Sequence, residues 1–390
     1  MDTLAFRTQV LEAHGAKLTE VEELLAYNRN LFDEQRGSIN PVDFPLANEP
    51  HIEVWREYVA SAQSQGAFSA LANALVQLRF PIQAGISTRE DYRRATRKGE
   101  FPTQTMTELV LIEPEQLQIF IYPTLAGEIP VIVSGNRADF VALLQALTKR
   151  NEPVDIPDSM GACIVSGYNN WDRVKRYRQH WESQYPDHCS EQDWLEAFAD
   201  LVPQKARYQD RFILLSRGPY SNVPATQLGL DEDEWLRLSL VIRREHESIH
   251  YATRRCFQSM RNNALDELIA DYFGILAANE EYRADWFLQF IGLEQFPTYR
   301  ESGRLHLYLG DPPLSAGAFT VLTSLVKQAA ANLEQFDRTY LQRHRTIAGK
   351  IATLLALVSL TLEELASDAS FMLLRKAMQA HQKQFDPALS

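Results

Sequence analysis

The chain has 390 residues, 45% of them hydrophobic, which is enough for two or three packed units rather than one ordinary core. Its 51 acidic and 39 basic side chains give a net charge of −12, which opposes general affinity for nucleic acid or anionic membrane surfaces and favours a neutral or cationic partner. Since the N-terminal MDTLAFRTQV has no basic stretch followed by an apolar core, we expect no signal peptide and a cytoplasmic protein.

Helices are predicted for the N-terminal part of the chain, up to about residue 80. The clearest start is a capping box at Thr19-x-x-Glu22, which precedes the apolar residues Val21, Leu24, Leu25 and Leu31. From Thr105 the sequence changes to three β-rich runs, ELVLIE, LQIFIY and IPVIVSG, separated by turn signals. These runs predict a small sheet.

Helices and strands are mixed in the next stretch. The predicted elements are a helix at Ala138–Arg150, a strand at Ala162–Ser166, helices from Trp171 and from Glu191, and a strand at Arg211–Ser216. Beyond Asp231 the chain is predicted to be helical, with a break at Gly310–Pro313. The longest apolar stretch, Ile351–Leu362, is shorter than the roughly 18 residues that span a bilayer, so it predicts a core helix.

The predicted fold class is helix-rich α+β, in which a small sheet precedes active-site helices and a C-terminal helical unit. Three regions are expected: an N-terminal helical region (1–104), a small mixed sheet with helices (105–225) and a helical core with C-terminal helices (226–390). Cys163, Cys189 and Cys256 are odd in number and lack CxxC spacing, which predicts buried thiols rather than a disulfide framework or a thiolate zinc site.

Two histidines stand four residues apart in the helix predicted from the acidic turn at Asp231 to Phe257. At about 100° per residue, His246 and His250 share one inward stripe, one turn apart and about 6 Å along the axis, so both can reach one tetrahedral zinc ion. Glu247 lies about 100° away, at the edge of this face, where it can act on water as a general base without being a ligand.

The following segment, RNNALDELIADYFGIL, supplies a possible third ligand. Glu267 and Asp271 share one face with small residues, Ala270, Gly274 and Ala278, which allow two helices to approach closely. Glu267 is the predicted ligand. Asp271, one turn further on, could accept the second N–H of a zinc-binding histidine and so fix its tautomer.

These residues resemble the zincin metallopeptidases, specifically the gluzincin branch that includes thermolysin-like enzymes, whose pattern is HExxH followed by ExxxD. Here HESIH is followed, after sixteen intervening residues, by ELIAD running into YFG, so the resemblance covers about forty residues. It implies Zn²⁺ as cofactor, the ligands His246, His250 and Glu267, Glu247 as base, Asp271 behind a ligand, and peptide or protein substrates.

The sequence departs from this pattern in two places. Arg243-Arg244-Glu245 precede the first histidine where zincins usually carry uncharged residues, and Asp266 stands where thermolysin-like enzymes have Asn. Arg243 is close to the ligand stripe by angle, so it could touch substrate or pair with Glu267 or Asp271.

Peptide hydrolysis also needs a donor that stabilises the oxyanion, and in gluzincins a tyrosine or histidine outside the HExxH helix commonly supplies it. The candidates are His306, Tyr308 and Tyr220, the first two in a segment, RLHLY, that could fold over the cleft. Phe212–Ser216 could bind extended peptide along its edge, or it could be an internal strand.

Several alternatives remain open from the sequence. The site could hydrolyse a non-peptide substrate, or belong to a zincin-derived binding or regulatory protein with little turnover. It could also be a structural ion-pair network of the flanking arginines and carboxylates, namely Arg243, Arg244, Arg254 and Arg255 with Glu245, Glu247, Glu267 and Asp271. The basic runs YRRATRKGE and WDRVKRYRQH indicate a solvated face rather than an RNA surface, given the acidic chain.

Overall fold

The computed structural model describes residues 3–30, 32, 44–100, 109–186, 190–259 and 263–385. The chain divides into two compact units: unit 1 comprises Met1–Ala47 and Pro219–Ser390, and unit 2 comprises Asn48–Gly218. This division differs from the predicted regions 1–104, 105–225 and 226–390, because the N-terminal helices belong to the same unit as the C-terminal half.

Unit 2 combines helices with a four-stranded sheet in the order β1-β2-β4-β3. The strands are β1 (Gln118–Thr124), β2 (Gly127–Ser134), β3 (Ala162–Asn169) and β4 (Gln209–Ser216). The helices of this unit are Ile52–Gln65, Ala67–Ala74, Glu90–Lys98, Arg137–Thr148, Trp171–Gln184 and Glu191–Leu201. The predicted helix at 138–150 and the strands at 162–166 and 211–216 are thus confirmed to within a few residues.

Strand β4 lies inside the sheet. Ile213 pairs with Val131 of β2 in parallel and with Ile164 of β3 in antiparallel, so hydrogen bonds of the ladder occupy both sides of the strand. A strand paired on both sides has no edge to offer to an extended peptide. The interpretation of Phe212–Ser216 as a substrate-binding edge is therefore wrong, and the alternative of an internal strand is confirmed.

The regular elements of unit 1 within the described residues are helices, joined by loops. Its helices are Thr3–Ala13, Leu18–Tyr27, Ala225–Leu228, Glu232–Phe257, Ala264–Asn279, Ala284–Ile291, Ala316–Thr339, Ile347–Leu357, Leu362–Ala366 and Ser370–Phe385. Polar contacts join its two sequence segments: Arg7 pairs with Glu363 at 3.1 Å, and the Tyr27 hydroxyl donates to the Tyr308 carbonyl at 2.6 Å. The predicted fold class, helix-rich α+β, is confirmed.

Two predicted helix boundaries are wrong. The predicted capping box at Thr19 and Glu22 is displaced, because the Glu20 carboxylate accepts from the Lys17 N–H at 2.8 Å and the helix begins at Leu18. The apolar stretch 351–362 is interrupted after Leu357, and Thr361 caps a second helix by accepting a hydrogen bond from the Glu364 N–H. Local capping bonds therefore set these ends more than apolar content does.

The ELVLIE run forms no strand over its described residues, Leu109–Glu113. Leu109 and Leu111 are buried, whereas Val110 and Ile112 are exposed, so the alternation that favoured a strand is real. The backbone N–H groups of Ile112 and Glu113, however, donate to the Asp139 carboxylate at 2.6 and 2.9 Å. These bonds satisfy the backbone without a neighbouring strand.

Two helices of unit 1 carry the sequence-predicted site. The histidine helix (Glu232–Phe257) is capped by Asp231, which accepts from the Glu234 N–H at 2.8 Å, and the glutamate helix (Ala264–Asn279) is capped by Asn263. A Cβ atom added to Gly274 would lie 2.9 Å from the Ile242 carbonyl oxygen. The close approach predicted from the small residues is therefore confirmed at this position.

Two further sequence predictions concern thiols and membrane spans. Cys256 is buried, which raises the pKa of its thiol to about 12, whereas Cys163 is only partly buried. Cys189 lies outside the described residues. Within the described ranges, none of the helices has the length and apolar character needed to cross a bilayer.

Candidate metal centre

His246, His250 and Glu267 form a group whose ligand atoms all lie within 4.8 Å of one another. The three residues are buried, with exposures of 5%, 4% and 4%. The two imidazoles project from successive turns of the histidine helix, and Glu267 faces them from the glutamate helix. The group thus forms where the histidine helix packs against the glutamate helix.

The separations between the ligand atoms match the requirements of a small cation. The Nε2 atoms of His246 and His250 are 3.0 Å apart, and each lies 3.5 Å from an oxygen of Glu267. Tetrahedral zinc with bonds of about 2.0–2.1 Å holds its ligand atoms about 3.3–3.4 Å apart. This group can therefore hold a metal ion.

A carboxylate lies behind each of the two histidine rings. His246 Nδ1 lies 2.7 Å from Asp271 Oδ1, and His250 Nδ1 lies 3.5 Å from Asp266 Oδ1. A carboxylate only accepts hydrogen bonds, so Nδ1 of His246 carries the proton. The two Nε2 atoms are within hydrogen-bond distance of each other, which requires a proton on one of them. Burial lowers the pKa of His250, but the charges of Asp266 and Glu267 outweigh burial and raise the pKa well above its ordinary value. A cation that replaced this proton would meet a lone pair from each ring.

Glu267 adds a third acceptor to this convergence. Burial alone raises the pKa of its carboxyl, but the hydrogen bond with His250 and the surrounding positive groups outweigh burial and lower the pKa to about 2. Its Oε2 meets no hydrogen-bond donor among the described residues. Two imidazole nitrogens and a carboxylate oxygen at this spacing form a donor set that can bind a cation in place of a proton.

A polar network supports Asp271 from behind. The Tyr220 hydroxyl donates to Asp271 Oδ1 at 2.5 Å and lies 3.0 Å from His246 Nδ1. Arg304 donates to Asp271 Oδ2 and, at 3.1 Å, to the Tyr220 hydroxyl, and its guanidinium lies 3.7 Å from Glu267 Oε2. Burial raises the pKa of Tyr220 well above its ordinary value, so its hydroxyl remains a donor.

Arg304 and Tyr220 were not predicted to have these roles. Tyr220 was a candidate oxyanion donor, but its hydroxyl is engaged with Asp271. Arg304 lies in the RLHLY segment, in which the predicted oxyanion donors are His306 and Tyr308. The role of Arg304 could have been predicted from its place as the arginine of a segment expected near two buried carboxylates, since such carboxylates need a charged partner.

Glu247 occupies the position next to His246 at the edge of the site and is half-buried. Loss of hydration raises the pKa of its carboxyl, although the nearby histidines and Arg304 act in the opposite direction. A carboxylate with a raised pKa binds a proton more readily than one in water. It is therefore suited to accept and release a proton during a reaction.

The remaining predicted site residues lie at different distances from this centre. Tyr308 is partly buried beside Glu267, and burial together with the Glu267 charge raises the pKa of its hydroxyl well above its ordinary value. His306 is exposed, and its Nδ1 contacts the Gly303 carbonyl at 2.6 Å. Arg243 donates to the Pro219 carbonyl at 2.6 Å, and its guanidinium lies over the Tyr220 ring.

An ion-pair network exists, but its arrangement differs from the alternative weighed from the sequence. Arg244 contacts Glu245 at 3.4 Å, and the arginine that meets Asp271 and Glu267 is Arg304, from a different segment. Arg304 lies 3.7 Å from Glu267 Oε2, the oxygen that also faces His246 Nε2. This network supports Asp271, whereas the two Nε2 atoms approach each other at 3.0 Å within the histidine helix.

The basic run on helix Trp171–Gln184 is largely paired with carboxylates. Arg176 contacts Asp172 at 2.7 Å and Glu57 at 2.6 Å, and Arg178 contacts Glu182 at 2.7 Å. The positive charge of these two arginines is thus balanced within the protein. The absence of a nucleic-acid partner stays a prediction.

Over residues 9–369 the chain matches a protein family described as "Family of unknown function (DUF7005)". The chain belongs to this family. The match extends over both units and includes the histidine helix, the glutamate helix and Arg304. No curated protein and no solved structure matches the chain.

Proposed function

We propose that this protein is a zinc-dependent metallohydrolase that cleaves peptide bonds. The observation that carries the proposal is the convergence of the two Nε2 atoms and the Glu267 carboxylate beside Glu247. The resemblance of HESIH and ELIAD to the gluzincin pattern supports the same conclusion from the sequence.

The donor set supports zinc over other cations. Two imidazole nitrogens and one carboxylate form a common catalytic zinc site, in which a fourth position is kept for water or substrate. Calcium and magnesium prefer sets of oxygen ligands, which the two histidines do not provide. Buried carboxylates behind both rings add the supporting contacts that such ligands ordinarily have.

Zinc held by these residues would supply Lewis-acid activation of water and of the substrate carbonyl. Glu247 would take a proton from the attacking water and later pass it to the leaving nitrogen. Asp271, Tyr220 and Arg304 keep the His246 ring in the orientation that its ligand role requires. Tyr308 is the best-placed oxyanion donor of the three candidates, because its protonated hydroxyl lies beside Glu267.

The first test is the metal content of the purified full-length protein. We expect near-stoichiometric zinc by inductively coupled plasma mass spectrometry, lost in the His246→Ala variant. His180→Ala is the matched control, since His180 is an exposed histidine of unit 2 and its removal should leave zinc unchanged. Wild-type protein that neither contains zinc nor takes it up from solution would refute the proposal.

The second test addresses the chemistry. Glu247→Gln keeps the size of the side chain but cannot accept the proton, so it should retain zinc and lose hydrolysis of a broad peptide library by a factor of about 10² or more. Equal turnover by this variant would exclude Glu247 as the base. A zinc-loaded wild type that cleaves no peptide would favour the non-peptide or regulatory alternatives.

A further inference from the structure

The Tyr27 hydroxyl connects three segments of unit 1 that are far apart in sequence. It donates to the Tyr308 carbonyl at 2.6 Å and accepts from the Ala264 N–H at 3.0 Å. Tyr27 ends the helix Leu18–Tyr27, Ala264 begins the glutamate helix, and Tyr308 closes the turn Arg304–Tyr308. Because Tyr27 is buried, these two hydrogen bonds are shielded from bulk water, which strengthens them.

The glutamate helix cannot satisfy the Ala264 N–H by itself. The first N–H groups of an α-helix have no acceptor within the helix. The capping residue Asn263 accepts from the Asp266 N–H instead, and Ala264 is buried. Since a buried N–H without an acceptor is costly, the Tyr27 hydroxyl stabilises the first turn of this helix, which contains Glu267.

The helix that ends at Tyr27 also contacts the chain beyond the turn. One turn before Tyr27, Glu23 accepts a hydrogen bond from the Ser315 hydroxyl at 2.7 Å. A Cβ atom added to Gly310 would lie 3.2 Å from Cδ2 of Tyr27, so the ring packs closely on the backbone there. One N-terminal helix thus contacts the segment 308–315 at both of its ends and at Gly310.

The turn held in this way carries two side chains to the metal-ligating group. Arg304 donates to Asp271, and Tyr308 lies beside Glu267. Both carboxylates belong to the glutamate helix, whose first residue bonds to the same Tyr27 hydroxyl. This hydroxyl therefore contacts the backbone of the turn and of the helix, and a shift of one against the other would lengthen both side-chain contacts.

We propose that Tyr27 is a positioning residue of the candidate site, which holds the turn Arg304–Tyr308 in register with the glutamate helix. The proposal rests on the proposed function only for its effect on turnover. It makes the N-terminal helix a part of the site, although Tyr27 lies 237 residues before Ala264 in the sequence. A tyrosine that only filled space in the core could be replaced by phenylalanine without this effect.

The first test compares hydrogen–deuterium exchange of full-length wild type and Tyr27→Phe by mass spectrometry. Phenylalanine keeps the ring that packs on Gly310 but removes both hydrogen bonds. We expect the Ala264 amide and the turn Arg304–Tyr308 to exchange about tenfold faster or more, because a group that has lost its partner opens more often. The helix Ile347–Leu357 of the same unit should keep its wild-type rate.

The matched control is Tyr168→Phe, which removes another buried tyrosine hydroxyl, bonded to Gln77 in unit 2. This control should leave exchange at the Ala264 amide and at the turn unchanged. Wild-type rates at these positions in Tyr27→Phe overturn the inference. Equal acceleration in the helix Ile347–Leu357 also overturns it, because it would indicate general destabilisation of unit 1 rather than loss of positioning.

The wild type alone gives an independent readout. Its Ala264 amide should exchange at least about tenfold more slowly than the same amide in an unstructured peptide, since it has a buried acceptor. Exchange at the unstructured rate would overturn the inference even if Tyr27→Phe failed to fold.

Turnover gives a readout that a loss of stability alone would not change. Zinc-loaded Tyr27→Phe should show a kcat for peptide hydrolysis lower by about tenfold or more, with zinc content and KM unchanged, because displacement of a catalytic group by about 1 Å can cost about 10²-fold in rate. An equal kcat overturns the inference. A wild type that hydrolyses no peptide refutes the proposed function instead, and the exchange experiment then decides the role of Tyr27 by itself.

Discussion

The contact between the two site helices makes Gly274 a sensitive position. A Cβ atom there would lie 2.9 Å from the carbonyl oxygen of Ile242 and 3.1 Å from its Cγ2, so the carbonyl contact would be about 0.5 Å shorter than an ordinary one. Overpacking of this kind costs about 1–3 kcal/mol, and a helix carbonyl cannot rotate away, which favours the upper half of that range. Replacement of a helical glycine by alanine gains about 1 kcal/mol. We therefore expect Gly274→Ala to lower the free energy of unfolding by about 1–2 kcal/mol.

Urea denaturation followed by tryptophan fluorescence measures this change, because Trp235 and Trp286 of unit 1 are buried close to each other. Zinc affinity should fall in the same variant, since the substitution pushes the glutamate helix away from the histidine helix. The exposed Ala277 of the glutamate helix provides the control: Ala277→Gly should cost about 1 kcal/mol through helix propensity and leave zinc binding unchanged. If Gly274→Ala instead stabilised the protein by about 1 kcal/mol, the helices would not be in the close contact that the structure describes.

Three further predictions concern the supporting network, the metal and the pH dependence of stability. Tyr220→Phe removes the hydroxyl that bonds to Asp271. The free energy of unfolding should therefore fall by about 1–3 kcal/mol in denaturant titrations, and zinc release should accelerate. If neither the unfolding free energy nor the rate of zinc release changed, Tyr220 would not support Asp271. Removal of zinc by a chelator should lower stability, and free zinc at 100 times its dissociation constant should restore about 2.7 kcal/mol, whereas a melting temperature independent of zinc would contradict a folded-state site. Burial lowers the pKa of His51 in the folded protein, so as the pH falls the unfolded chain takes up a proton at this histidine before the folded protein does. The stability that is present above pH 6.5 is therefore lost as the pH falls below that value. A His51→Gln variant should show a shallower fall of unfolding free energy from pH 6.5 downward, by at most about 1.4 kcal/mol per pH unit, and equal slopes would refute this assignment.

The histidine helix and the glutamate helix could be predicted because the sequence features that specify them lie within each helix. The periodicity of the histidine helix places His246 and His250 on one stripe, and Asp231 stands at its start as a capping residue. Gly274 predicts a close helix contact because only small residues allow one. These features depend on spacing within one helix or between two consecutive helices, where sequence distance and spatial distance remain related.

The division into units could not be predicted in the same way. The N-terminal helices join the C-terminal half through contacts between residues far apart in sequence, such as Arg7 with Glu363 and Tyr27 with Tyr308. Neither partner shows a pattern that specifies the other. The wrong strand prediction at ELVLIE has a local cause, since Asp139 accepts hydrogen bonds from backbone N–H groups that the alternating pattern had assigned to a strand.

Of the network behind the histidines, the contact of Asp271 was predicted from the sequence, whereas the contacts of Asp266, Tyr220 and Arg304 were not. Asp266, Glu267 and Asp271 contact the two imidazoles, and Arg304 contacts two of these three carboxylates. Arg304 supplies a positive charge beside Asp271 and Glu267 and so offsets part of their negative charge. Without Arg304 the net charge of these buried groups would be more negative by one, and an uncompensated buried charge is costly in a medium of low dielectric constant. The arginine from the distant Arg304–Tyr308 turn therefore supports Asp271 and offsets buried negative charge, a role that no helical period could reveal.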